Sequence, residues 1–210
     1  MSFQGFPDAA LIFFEGLEAD NSRPYWNAHR ETYDHDVRAP MQQLLDELAP
    51  EFGAGKIYRP YRDVRFSKSK TPYKTAVAAS AGRFYVQLGA DGLLVGGGYY
   101  HLERDQLARL RRAVDDDVTG RALERLVAAT TRAGLDVGGD RLATRPRGCP
   151  ADHPRLDLMR HRSLTAARRW APEAWLHTAA AGERVRAAWR AVQPLAQRLD
   201  TNVGAEDGGR

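Results

Sequence analysis

Between Lys56 and Thr75 the sequence gathers seven cationic side chains, Lys56, Arg59, Arg62, Arg65, Lys68, Lys70 and Lys74, against one carboxylate, Asp63. The local charge is +6, whereas the whole chain of 210 residues carries +4, so the remainder is slightly acidic at −2. Charge concentrated in this way suits anion recognition. Arginine offers a planar fork that matches two oxygens of a phosphate or carboxylate. Lysine adds a movable point charge, and the hydroxyls of Ser67 and Tyr73 can donate to the remaining oxygens. Arg62, Arg65, Ser67, Lys68, Lys70, Tyr73 and Lys74 form this central set. Pro72 biases Thr71 towards an extended shape and so sets where Lys70 and Tyr73 point. In an extended strand Asp63 shares a face with Arg65 and points away from Arg62, which predicts an internal Asp63–Arg65 pair. The alternative is that the same charges cap helices, pair with Glu15, Glu31, Asp34 and Asp36, and otherwise sit in water.

A second set, Trp26, His29, Arg30 and Tyr33, recurs at helical spacing. Read functionally it is one wall of a pocket, with the Trp26 ring packing a ligand and His29 serving as acid or base near neutral pH. Read structurally it is a core aromatic stripe whose histidine is satisfied by a backbone or carboxylate partner. Arg147, before Gly148 in an irregular loop, could reach an anion alongside exposed backbone amides, or could be a loop arginine in water. The six histidines show neither H-x-x-x-H nor H-E-x-x-H spacing, and Cys149 is the only cysteine. No metal site, no cofactor and no internal disulfide are therefore expected. There is no G-x-S-x-G elbow, P-loop or kinase set, and an S-x-x-K reading of Ser67 to Lys70 needs a helix that Pro72 opposes.

These groups must be positioned by the surrounding elements. The apolar spacing predicts a helix over 6–17, another from about Pro24 carrying Trp26, His29, Arg30, Tyr33 and Val37 inward, and a third burying Met41, Leu44, Leu45 and Leu48. Pro40 is expected to kink or end the second, and Pro50 or Gly53 to stop the third. Residues 57–66 and 73–80 read as strands, and the runs 84–88 and 93–99 around Asp91-Gly92 as a hairpin. Gly96, Gly97 and Gly98 lack dinucleotide-loop spacing and read as a flexible or bulged strand closely passed by another backbone, with direct phosphate binding the alternative. Helices follow over 103–114 and 118–133, the latter ended by Gly134. Short strands are expected over 142–145 and 156–162, then a helical C-terminal third capped by Ser163. The fold class is α+β, a single domain over 1–199 with a central antiparallel sheet, N-terminal helices and a C-terminal helical segment packed around it. A flexible polar tail is expected over 200–210.

Several motifs are similar to those of a known family. F-x-G-F at Phe3 to Phe6, the Leu17 to Trp26 segment, R-D-x-R-F-S-K-x-K-x-P-Y-K-T at Arg62 to Thr75, G-G-G-Y-Y, and R-P-R-G-x-x-x-D-H-P resemble the bacterial and fungal domain-of-unknown-function family 2461. The resemblance runs from Phe3 to about Leu199 and implies one α+β domain without a transferable reaction. Ser69 stands where that pattern commonly has an acid, which makes the segment more basic than in its relatives. Cys149 stands where it commonly has an aromatic, which argues against a nucleophilic thiol.

No apolar run approaches the ~20 residues that span a bilayer, and the N-terminus lacks a signal peptide's basic start and cleavage site, so a cytoplasmic protein without membrane partners is expected. The expected function is binding of a small anionic ligand bearing phosphate or carboxylate, through the basic segment with Arg147 and the Trp26 to Tyr33 helix. An enzyme using the same pocket, with His29, Asp63 or Tyr73 in proton transfer, is the first alternative. A nucleic-acid-binding or purely structural domain is the second, and nucleic acid is the weaker partner because backbone neutralisation usually needs a wider basic face.

Overall fold

Phe13, Phe14 and Leu17 lie on the buried side of helix α1 (Asp8–Ala19), where Phe13 meets Trp26 edge-on with ring centroids 5.9 Å apart. In this computed structural model, which describes residues 2–63 and 71–204, the chain forms two compact units. The first comprises Met1–Val95 with Arg169–Ala187, and the second Gly96–Arg168 with Ala188–Arg210.

In the first unit α1 is followed by α2 (Arg23–Ala28), the short α3 (Arg30–Thr32), a π-helical turn (Tyr33–Arg38) and α4 (Ala39–Phe52). Pro40 does not end the helix. It occupies the first turn of α4, where a missing N–H costs little, directly after the wider π turn. Helix α4 buries Met41, Leu44, Leu45 and Leu48 and stops at Gly53, whose φ of 87° suits only glycine without strain. Strands β1 (Lys56–Ile57), β2 (Ala76–Ala81), β3 (Phe84–Gly89) and β4 (Gly92–Tyr99) follow. β1 is antiparallel to β2 with Lys56 opposite Ser80, and β2 to β3 with Ala76 opposite Gly89 and Ala81 opposite Phe84.

In the second unit α5 (Arg104–Asp115) opens with a reciprocal Glu103–Gln106 capping box, and α6 (Asp117–Arg132) with Asp116 accepting from the Val118 and Thr119 amides. β5 (Asp136–Gly138), α7 (Leu156–Met159) and β6 (Leu164–Trp170) come next; a 3₁₀ turn of the first unit (Ala174–His177) leads to α8 (Ala180–Val203), whose residues from Ala188 on belong to the second. The strand order is β1-β2-β3-β4-β6-β5, with β4 and β6 each contributing residues to both units. An antiparallel sheet with flanking helices makes the fold α+β. The second unit's core gathers Tyr99, Leu110, Val114, Leu123, Leu164, Leu195, Leu199 and Val203. The guanidinium of buried Arg155 donates to the Val114 and Asp115 carbonyls at the end of α5, at 2.6 and 2.9 Å.

Four expectations change. The strand over 57–66 is two residues long before Pro60, which has no N–H for a ladder, and residues 64–66 lie outside the described part. Residues 142–145 form no strand, and 156–159 are a helical turn. Ser163 caps no helix: its hydroxyl accepts from the Asp140 amide at 2.6 Å, and the good helix-formers Ala166, Ala167, Arg168 and Arg169 are held in β6 by pairing, such as Ala167 with Asp136. Residues 200–203 are not tail, since α8 runs to a fully buried Val203, and residues 205–210 lie outside the described part. The glycine strand is as expected: a Cβ on Gly96 would lie 2.3 Å from the Ala166 carbonyl oxygen, and one on Gly98 2.5 Å from that of Leu164.

Candidate functional site

Ser22 accepts from the Tyr25 amide at 3.3 Å and so starts α2, which points Trp26 inward. The helix breaks at His29, restarts at Arg30 and widens into the π turn. Arg30, Asp34 and Arg38 follow one another at intervals of four, and with Tyr33 they line one cleft. The other lining residues are Lys56, Ile57, Tyr58, Arg59, Pro60 and Tyr61, the strap that leaves β1. Trp26 completes a cleft of about 710 Å³.

The strap is fixed from behind. Tyr61 and Tyr73 form an antiparallel bridge, flanked by the Arg62 amide donating to the Pro72 carbonyl and the Lys74 amide donating to the Pro60 carbonyl, both at 2.8 Å. Asn21 grips Tyr73 twice, accepting from its amide at 3.0 Å and donating to its carbonyl at 3.1 Å. The Tyr73 ring stacks on Trp26 with centroids 4.4 Å apart and planes 7° from parallel. Trp26, only 3% exposed, also meets Tyr33 at 4.8 Å and Tyr61 at 5.9 Å.

Four cations, Arg30, Arg38, Lys56 and Arg59, and one carboxylate, Asp34, line the cleft, a net charge of +3. Asp34 engages Arg30 at 3.8 Å in an exposed pair of small energetic weight. Arg38, Lys56 and Arg59 have no ion pair among the described residues. Burial pushes the Tyr33 phenol up to about 12, with Arg38 opposing the rise and Asp34 and Tyr61 adding to it. Its hydroxyl is therefore a neutral donor or acceptor at neutral pH.

Of the sequence-predicted site residues, Trp26, Arg30 and Tyr33 line the cleft. Tyr73 lies buried behind it, stacked on Trp26. Arg62 is exposed and donates to the Thr71 hydroxyl at 3.0 Å, and the Lys74 ammonium lies 5.7 Å from the Tyr58 ring centre. Asp63 is exposed just beyond the strap. His29 does not line the cleft: it stacks on Tyr25, and its Nδ1 lies 2.8 Å from the Tyr25 carbonyl oxygen. Arg147 is exposed in a turn of the second unit, whereas the cleft is built from the first. Arg65, Ser67, Lys68 and Lys70, and with them the Asp63–Arg65 pair, lie outside the described residues.

Sequence reasoning left Asp34, Arg38, Lys56, Tyr58, Arg59 and Tyr61 out of the site. Lys56 and Arg59 were visible in the charge cluster. Arg38 stands four residues after Asp34 and eight after Arg30, a helical spacing that places it beside them on one face. Among the described residues no cluster of three or more potential metal ligands occurs.

An α+β protein whose first unit carries a cationic, tyrosine-lined cleft is the class these observations define. A family model described as "Conserved hypothetical protein (DUF2461)" matches residues 9–197, and the chain belongs to that family, as its motifs implied. No curated protein matches the chain.

Proposed function

We propose that the protein binds a small anionic ligand, bearing phosphate or carboxylate, in the cleft between the π turn and the Lys56–Tyr61 strap. One observation carries this reading: Arg38, Lys56 and Arg59 share one concave site and have no acidic partner among the described residues. Several other basic side chains are paired, as in Arg141 with Asp157, Arg162 with Asp140 and Arg186 with Glu47. Unpaired cations in a cleft hold an anion more strongly than the same charges spread on an open face, because the walls exclude part of the screening water. This favours a small ligand over a nucleic-acid backbone. Among the described residues, no group offered for proton transfer (His29, Asp63 or Tyr73) lines the cleft, so binding is the reading the geometry supports. No helix among the described residues is long and apolar enough to cross a membrane, and a cytoplasmic setting accords with a single, buried cysteine, Cys149.

Isothermal titration with inorganic pyrophosphate tests the proposal. Saturable binding is expected, weakened about tenfold or more by each of Arg38→Ala, Lys56→Ala and Arg59→Ala, the usual scale for a hydrogen bond to a charged group. Absence of binding, or variants that bind as well as the parent, would contradict it.

A further inference from the structure

Two tyrosines in the cleft keep much of their surface open, Tyr61 at 46% and Tyr58 at 38% exposure. Both are held in place. Tyr61 is fixed through its backbone bridge to Tyr73 and backed by the rings of Tyr73, at 5.5 Å, and Trp26. The Tyr58 hydroxyl donates to the Ser80 hydroxyl oxygen at 2.9 Å, and its ring lies 6.4 Å from that of Tyr85. Rigid aromatic surface left facing a cleft is ready to cover another flat ring, at little cost in side-chain ordering. Asp34 adds an acceptor among the cations, which a bare phosphate would be repelled by but a ligand with an amino or hydroxyl donor would use.

Resting on the anion-binding reading above, we infer that the ligand is a nucleoside phosphate. Its flat, donor-bearing ring stacks on Tyr61, its phosphates meet Arg38, Lys56 and Arg59, and Asp34 accepts from an amino or hydroxyl group. The volume of about 710 Å³ falls within the range of small-molecule pockets and accommodates a ring, a sugar and a phosphate together.

The test is calorimetric titration of the full chain with ADP, GDP, CDP and UDP, with inorganic pyrophosphate, and with a single-stranded oligonucleotide series. At least one nucleoside diphosphate is expected to bind about tenfold more tightly than pyrophosphate, the scale of one base stacked on an aromatic ring. Tyr61→Ala should weaken nucleotide binding more than pyrophosphate binding and so remove that margin, and Tyr61→Phe, which keeps the ring, should restore it. If pyrophosphate binds and no nucleotide binds better, the ring assignment falls and the anion site stands. If neither binds, both fall. Equal weakening of nucleotide and pyrophosphate by Tyr61→Ala overturns stacking as the source of the margin. Affinity that climbs with oligonucleotide length past that of every nucleoside diphosphate overturns the small-ligand assignment.

Discussion

Trp26 and Tyr73 lie face to face, 4.4 Å apart and 7° from parallel, and this stack joins the helical wall of the cleft to the base of its strap. The helical wall is set by α2 and the π turn, and the strap by the Tyr61–Tyr73 bridge. The stack and the Asn21 clamp hold the two in register.

Breaking that junction should therefore cost stability and affinity together. Trp26→Ala removes a buried indole with four aromatic neighbours and is expected to destabilise by about 3–5 kcal/mol. Asn21→Ala leaves the Tyr73 amide and carbonyl without their side-chain partner, at about 1–3 kcal/mol. Urea denaturation measures both losses, and Asn21→Ala, the milder of the two, should also bind pyrophosphate more weakly.

Much of this arrangement was legible in the sequence. The burial of Trp26 and Tyr33, the Asp91-Gly92 hairpin, the helix ended by Gly134 and the close backbone passage at Gly96 and Gly98 all follow from local spacing and residue type. Features decided by tertiary pairing were not. Residues Ala166 to Arg169 favour helix intrinsically, and only their sheet neighbours make them β6. Nothing in the pattern around Asp36 announces a π turn.

The glycines of β4 offer a matched comparison. Gly98→Ala combines a φ of 116° with a Cβ 2.5 Å from the Leu164 carbonyl oxygen, so it should cost about 3 kcal/mol or more and separate β4 from β6 locally. Gly138→Ala, in β5, meets nothing within 4 Å and has no positive φ. It should be neutral or stabilise by about 0.4–1 kcal/mol through the unfolded chain. Thermal unfolding of the two variants checks the contrast.

His161 should make stability depend on pH. It is buried, donates from Nδ1 to the Ser163 carbonyl at 3.0 Å, and burial holds its pKa below the usual 6.5, with Arg141 and Arg160 adding to the depression and Asp157 and the Ser163 hydrogen bond opposing it. As pH falls below 6.5 the unfolded chain takes up a proton at this site before the folded one does, so stability declines from that point downward. His161→Asn keeps a donor towards Ser163 and removes the titration. Denaturation midpoints of this variant should be flatter than the parent's across that window, and equal slopes would remove His161 as the cause.

Arg155 should be costly to lose although no ligand depends on it. Its buried guanidinium holds the Val114 and Asp115 carbonyls, and Arg155→Met leaves both without that donor. A loss of about 2–5 kcal/mol is expected, with pyrophosphate affinity unchanged, as denaturation and calorimetry on the same sample would show.

Arginine side-chain NMR during a pyrophosphate titration tests the anion site most directly, with the signals assigned from the single alanine variants. The Nε–H resonances of Arg38 and Arg59 should shift together and saturate at one equivalent, while those of Arg121 and Arg125 on α6 stay still. Resonances of Arg38 and Arg59 that do not move, or shifts spread evenly over the protein's arginines without saturation, would contradict the site.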